Sequence, residues 1–139
     1  MSRDAARAAA YAGACYEIDL GTQRLVRRIG RRDAGADAAL RAAGCRRHWF
    51  VVTPCNPDSR RLPDADNEAR LARFAADLAA RHWDTRPSLG RADDGRWPEP
   101  GACVFDAEPA AVLALARDYG QAAFVHGRLG APPALVWTR

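Results

Sequence analysis

HWFVVTPCNPDSRRLPDADNEARLARFAADL, residues 48–78, is the stretch whose reading decides the fold. Trp49, Phe50, Val51 and Val52 are apolar on both faces of an extended chain, the pattern of a central, buried strand. Pro54 has no N–H to donate, so ladder pairing must stop near Thr53. Asn56-Pro57-Asp58-Ser59 then supplies strong turn formers, whose short side chains bond nearby backbone. Beyond Leu62-Pro63, Asp64 is placed as an N-cap, with Asp66 and Glu68 where a helix dipole favours acids. Leu71, Phe74, Ala75 and Leu78 recur at helical spacing as a buried stripe, with Arg70, Arg73, Asp77 and Arg81 mostly on the other side. A strand, a ligand-sized turn and an amphipathic helix follow in order. Such junctions often carry sites, because the strand end is fixed and the helix start offers unpaired N–H groups.

Working outward, Asp4 can cap a short Ala-rich helix over Ala5–Tyr11, ended by Gly13, and residues 1–14 form a segment that should fray on its own. Residues 15–20 alternate as a half-buried strand, and Leu25–Ile29 returns as a second one after Gly21-Thr22. Asp33 caps a helix over Ala34–Ala43, with Gly44 at its end and Leu40 its one large apolar residue. After the central helix, Trp83–Arg86 reads as a short strand and residues 87–101 as a long loop rich in Pro and Gly. Cys103–Phe105 is a strand, and Asp106 is expected to cap a helix marked by Val112, Leu115, Ala116 and Tyr119 and ended by Gly120. Ala122–His126 and Leu135–Trp137 close the chain as a hairpin. The expectation is one α+β domain over residues 1–139, a mixed β-sheet packed with about three helices.

A chain of 139 residues can bury roughly two thirds of its unfolded surface without a metal or disulfide staple. Cys15, Cys45, Cys55 and Cys103 are dispersed, with no C-x-x-C pair and no secretory leader, which points to reduced thiols, a soluble chain and a cytoplasmic location. The apolar run Ala5–Ala14 is too short, and too interrupted by Arg7, to span a membrane. The net charge of +4 comes from arginine alone in this arginine-rich chain, and its excess sits in Arg24, Arg27, Arg28, Arg31 and Arg32. A nucleic-acid or protein interaction domain would use the Arg24–Arg32 stretch through phosphate contacts or ion pairs. It lacks interleaved aromatics and any accompanying motif, so a solvated basic face is preferred over nucleic-acid binding.

Thr53-x-x-Asn56-Pro57, then Asn67-Glu68 on a helix, Glu99-Pro100 before a strand and Tyr119-Gly120-Gln121 before another together resemble a small bacterial domain-of-unknown-function family, DUF3293, from about Tyr16 to the C-terminus. Pro54 stands where that family usually has a small residue, and Gly101 where serine is common. The resemblance implies an uncharacterised bacterial protein and supplies no reaction.

The chemistry must therefore come from the residues. Thr53, Asn56, Asp58, Ser59 and Asn67, joined by Glu99 and Gln121, which the resemblance places beside other strand ends, would converge beside a helix start if those ends share one edge of the sheet. Amides, hydroxyls and one carboxylate gathered there suit a small polar or anionic ligand. The competing explanation is that Asn56 and Asn67 only satisfy the backbone of an irregular loop. The alternative function is a hydrolase or transferase using Glu99 as acid or base, or Cys55 as nucleophile. His48 falls on the wrong strand face to serve Cys55, which leaves His126. His48, His82 and His126 are scattered and no glycine-rich phosphate loop is present, so no metal and no cofactor is expected. Trp97, beside Pro98, is the tryptophan placed to close over a ligand, or else to pin its loop to the body.

Overall fold

In the computed structural model, which describes residues 3–139, the strand at the centre of that stretch is β3 (His48–Val52). Before it come α1 (Arg3–Ala12), β1 (Cys15–Asp19), β2 (Arg24–Arg27) and α2 (Ala34–Ala42). After it come a single 3-10 turn (Pro57–Ser59), α3 (Asp64–Arg81), β4 (Asp84–Arg91), β5 (Glu99–Phe105), α4 (Pro109–Asp118), β6 (Ala123–Arg128) and β7 (Ala134–Trp137). The seven strands form one sheet in the order β2-β1-β4-β5-β3-β6-β7. The α+β class and the C-terminal hairpin, β6 with β7, are as the sequence predicts.

All six strand pairings are antiparallel, so the sheet is not mixed. The helical crossovers explain why. α3 links β3 to β4, and α4 links β5 to β6, strands that run the same way; but β5 lies between the first pair and β3 between the second. Each crossover therefore skips a neighbour, and an opposed strand fills the gap.

Strand alternation sorts the core into two layers. Phe50 and Val52 of β3, with Val104 and Phe124, meet Phe74 and Leu78 of α3 and Val112, Leu115, Ala116 and Tyr119 of α4. Trp49 and Val51, with Cys103, Phe105 and Val125, face the opposite way, onto Leu40 and Ala36 of α2 and onto Tyr16, Ile18 and Leu25. Gly127 sits across from Trp49, where a Cβ would lie 1.9 Å from the indole; only glycine leaves room for that ring.

Residues 87–101, read from sequence as loop, are mostly strand: β4 and β5 form a hairpin around residues 92–98. Proline and glycine mislead here because each lies where a neighbour has run out or come close. Pairing of β1 to β4 covers Ser88–Arg91, so the missing N–H of Pro87 falls just past it, and Pro100 lies beyond the β3–β5 pairing, which starts at Ala102. A Cβ on Gly101 would meet the Val52 carbonyl oxygen at 2.2 Å.

Three end assignments also change. α1 is docked, not frayed: Arg7 donates to the Asp58 carboxylate at 3.1 Å, and the Tyr11 ring packs edge-on to Trp137. Pro63, not Asp64, takes the N-cap position of α3, with its carbonyl accepting from Asp66 and Asn67. Glu108 precedes α4, while Asp106 accepts instead from the backbone N–H groups of Arg46, Arg47 and His48 and so fastens the start of β3. Burial alone would raise the Asp106 carboxyl, but those three donors outweigh it and hold it below the usual aspartate range. Among the described residues no helix is long and apolar enough to cross a membrane.

Candidate ligand cleft

Odd-numbered residues at the C-terminal end of β3 and the N-terminal ends of β5 and β6 share the α2 face of the sheet, and α1 crosses that face without filling it. What remains is a cleft of about 310 Å³. Ala10 and Tyr11 of α1 form its helical wall, with Ala14 just beyond the helix, Tyr16, Val51, Val125 and Leu135 its floor and side, and Trp97 its outer rim. Its polar groups are Thr53, Asn56, Ser59, Glu99, Gln121, Arg7 and Arg91.

The expected cluster is assembled. Asn56 Nδ2 donates to Glu99 Oε2 at 2.8 Å across 43 residues of chain, joining the end of β3 to the start of β5. Asn67, in the first turn of α3, holds Asn56 in place: its Nδ2 donates to Asn56 Oδ1 at 2.9 Å, and its Oδ1 accepts from Asn56 N at 3.1 Å. Asn56 Oδ1 also accepts from Leu62 N, so the buried Asn56 amide is used on both ends. Gln121 Nε2 donates to the Cys55 carbonyl, and Thr53 Oγ1 donates to Pro100 O while accepting from Cys55 N. Asn67 does not line the cleft; it positions a residue that does. Asp58 faces away, paired with Arg7 and Arg139, and Ser59 contributes through Tyr11 Oη at 3.4 Å.

The backbone around this cluster is held in conformations that favour glycine. Asn56, Asp58 and Ser59 all have φ between 50° and 59°, and Trp97 has φ 56° on the opposite rim. Asn and Asp tolerate that region; a tryptophan there costs about 1–2 kcal/mol. Such outliers persist where surrounding contacts overdetermine them, as they do at binding sites.

Charge in the cleft is unevenly compensated. Arg91 is committed to Glu17 at 2.6 Å, Arg7 to Asp58, and Arg61 stacks over Trp97 with its guanidinium 5.6 Å from the ring centroid. Half-buried Glu99 has no ion-pair partner among the described residues, and only the Asn56 amide bonds it. Burial lifts its carboxyl above the ordinary glutamate value, against the opposing pull of that amide. Burial likewise raises Tyr11 and Tyr16, with Glu99 adding to both.

Cys55 is buried with its thiol directed to Pro100 O at 3.7 Å, and burial raises its pKa. Its expected base is engaged elsewhere: His126 Nε2 and His48 Nδ1 lie 3.2 Å apart on the α3/α4 face, with His126 stacked on Phe50. Among the described residues no group of three His, Cys, Asp or Glu side chains could hold a metal ion. The Arg24–Arg32 stretch is not one solvated face: Arg27 is 2% exposed beneath Trp49, Arg28 pairs with Asp93 and Arg24 with Glu17. No signal in the sequence marks Tyr11 or Arg7, since a lone aromatic and a lone charge on an alanine-rich helix have no pattern to belong to.

The amide–carboxylate cluster, with α3 and β5 that support it, is also where the chain meets known proteins: residues 52–124 match the family described as Protein of unknown function (DUF3293). The chain belongs to this family. The match is narrower than the resemblance in the sequence suggests, beginning at Val52 and not near Tyr16, yet it includes Asn56, Asn67, Glu99 and Gln121 and leaves Tyr11 and Tyr16 outside. No curated protein and no solved structure gives a significant match to the chain.

Proposed function

We propose that this DUF3293 member is a small binding module that takes a polar ligand into the cleft between α1 and the sheet. One observation carries the reading: Asn56 and Glu99, from distant strand ends, are joined at 2.8 Å on the wall of an apolar cleft of about 310 Å³. A concave, mostly apolar site with a few convergent polar groups is the usual form of a small-molecule pocket. Thr53, Ser59 and Gln121 add polar edges, and Trp97 stands at the rim. A cytoplasmic setting belongs to the same proposal and is supported by four unbridged cysteines.

Fragment screening by amide-shift NMR tests it. Hits should shift the signals of Tyr16, Gly90, Trp97 and Glu99 together. Hits that map elsewhere, or that bind a Tyr11→Ala/Trp97→Ala variant as well as the parent, would remove the cleft from consideration.

The second reading is a hydrolase or transferase in which Glu99 is the general acid or base. Burial with a raised carboxyl pKa favours Glu99 for that role over Cys55, whose thiol is held protonated. In that case Glu99→Gln should abolish turnover of a fragment-like substrate while preserving its NMR shifts.

A further inference from the structure

We infer that the ligand presents a protonated amine to Glu99 and lays an apolar or aromatic body along Tyr11, Tyr16 and Trp97; this rests on the cleft being a ligand site. The sequence points to a polar or anionic ligand, the anionic option on the strength of the helix start after the turn. The start of α3 is not among the cleft's walls: the helix end that lines it, at Ala10 and Tyr11, is the C-terminal end of α1, which carries the negative pole of the helix dipole.

The charged side chains lead the same way. The two arginines that line the cleft, Arg7 and Arg91, are each already held by a carboxylate, Asp58 and Glu17 respectively, and Arg61 lies outside the lining, stacked on Trp97. Glu99 is the reverse case. Oε2 accepts from Asn56, Oε1 has no protein partner among the described residues, and no arginine is near enough to pair with it. A half-buried carboxylate held by one neutral amide gains most from a cation that brings its own donors. Aromatic rings beside it add a surface that favours cations as well as apolar carbon.

Three probes that share a phenyl body and differ in charge separate the outcomes: phenethylammonium, neutral 2-phenylethanol and anionic phenylpropionate, titrated at neutral pH against the labelled full chain and a Glu99→Gln variant. Phenethylammonium should bind tightest of the three, shifting Trp97 and Glu99, and should weaken about tenfold or more in Glu99→Gln, the worth of one charge-assisted contact. The neutral alcohol should bind both proteins alike, which shows that the variant keeps its cleft. Equal or tighter binding of phenylpropionate, or unchanged amine binding in Glu99→Gln, would overturn the amine assignment and leave the cleft standing. Failure of all three probes to shift any cleft residue would overturn both.

Discussion

Two polar couples lie on the same face of one sheet and are treated differently by the fold. Arg27 and Asp37 meet at 4.0 Å beneath Trp49, both nearly without solvent, and Arg27 Nε, Arg27 Nη2 and Asp37 Oδ1 have no hydrogen-bond partner among the described residues. Asn56 and Glu99 meet at 2.8 Å at the other end of β3, supported by Asn67 and Leu62, and border an open cleft. The first couple is closed in but loosely bonded. The second is well bonded and left open. Full burial without full pairing is expensive and serves packing at most, whereas a satisfied scaffold with one carboxylate oxygen to spare is what recognition of a ligand requires.

Breaking the first couple should have the largest effect. Asp37→Ala leaves the Arg27 guanidinium buried and uncompensated, for an expected loss of about 3–5 kcal/mol in denaturant unfolding. The double variant Arg27→Met/Asp37→Leu should recover most of that loss; if it does not, the pair is a stronger interaction than its 4.0 Å separation implies. Gly127→Ala comes next. Its methyl must displace the Trp49 indole on which Arg27 lies, and a drop of about 3 kcal/mol in stability should be visible as a lowered Tm.

Asn67→Ala tests the open couple. It removes the acceptor for Asn56 N and the donor to Asn56 Oδ1, leaving a buried N–H unpaired, and should cost about 1–3 kcal/mol while loosening Glu99. The smallest effect, and the sharpest in sign, belongs to Glu99→Gln. Because the folded-state pKa of Glu99 is raised, the native protein binds that proton more tightly than the unfolded chain does. Its contribution to stability is present below the ordinary glutamate value of 4.5 and is lost as pH rises through the raised one. Unfolding measured across that window should show the decline in the parent and not in the variant. Asp106, held low by three backbone donors, should act oppositely, its contribution present above 3.8 and lost as pH falls through its depressed value.

Local pattern determined a great deal here. The apolar run Trp49–Val52, the stop at Pro54 and the stripe Leu71–Leu78 identify a central strand, a turn and a helix from neighbours alone, because hydrophobic period and proline geometry act within a few residues. The positions of Asn56 and Asn67 at element ends could be read the same way, while those of Glu99 and Gln121 rest on the family resemblance. Their meeting could be read from neither. It depends on β5 lying beside β3, a pairing between strands 50 residues apart that skips α3 and β4. The same pairing converts Pro100 and Gly101 from loop signals into strand residues, and burial by α2 converts Arg27 from a surface charge into a core one. Sequence alone determined the central strand, its turn and the helices; the tertiary structure decided that residues 87–91 and 99–101 would be strand, which element ends share a cleft and which charges there go unanswered, because these follow from long-range pairing and desolvation that no local window contains.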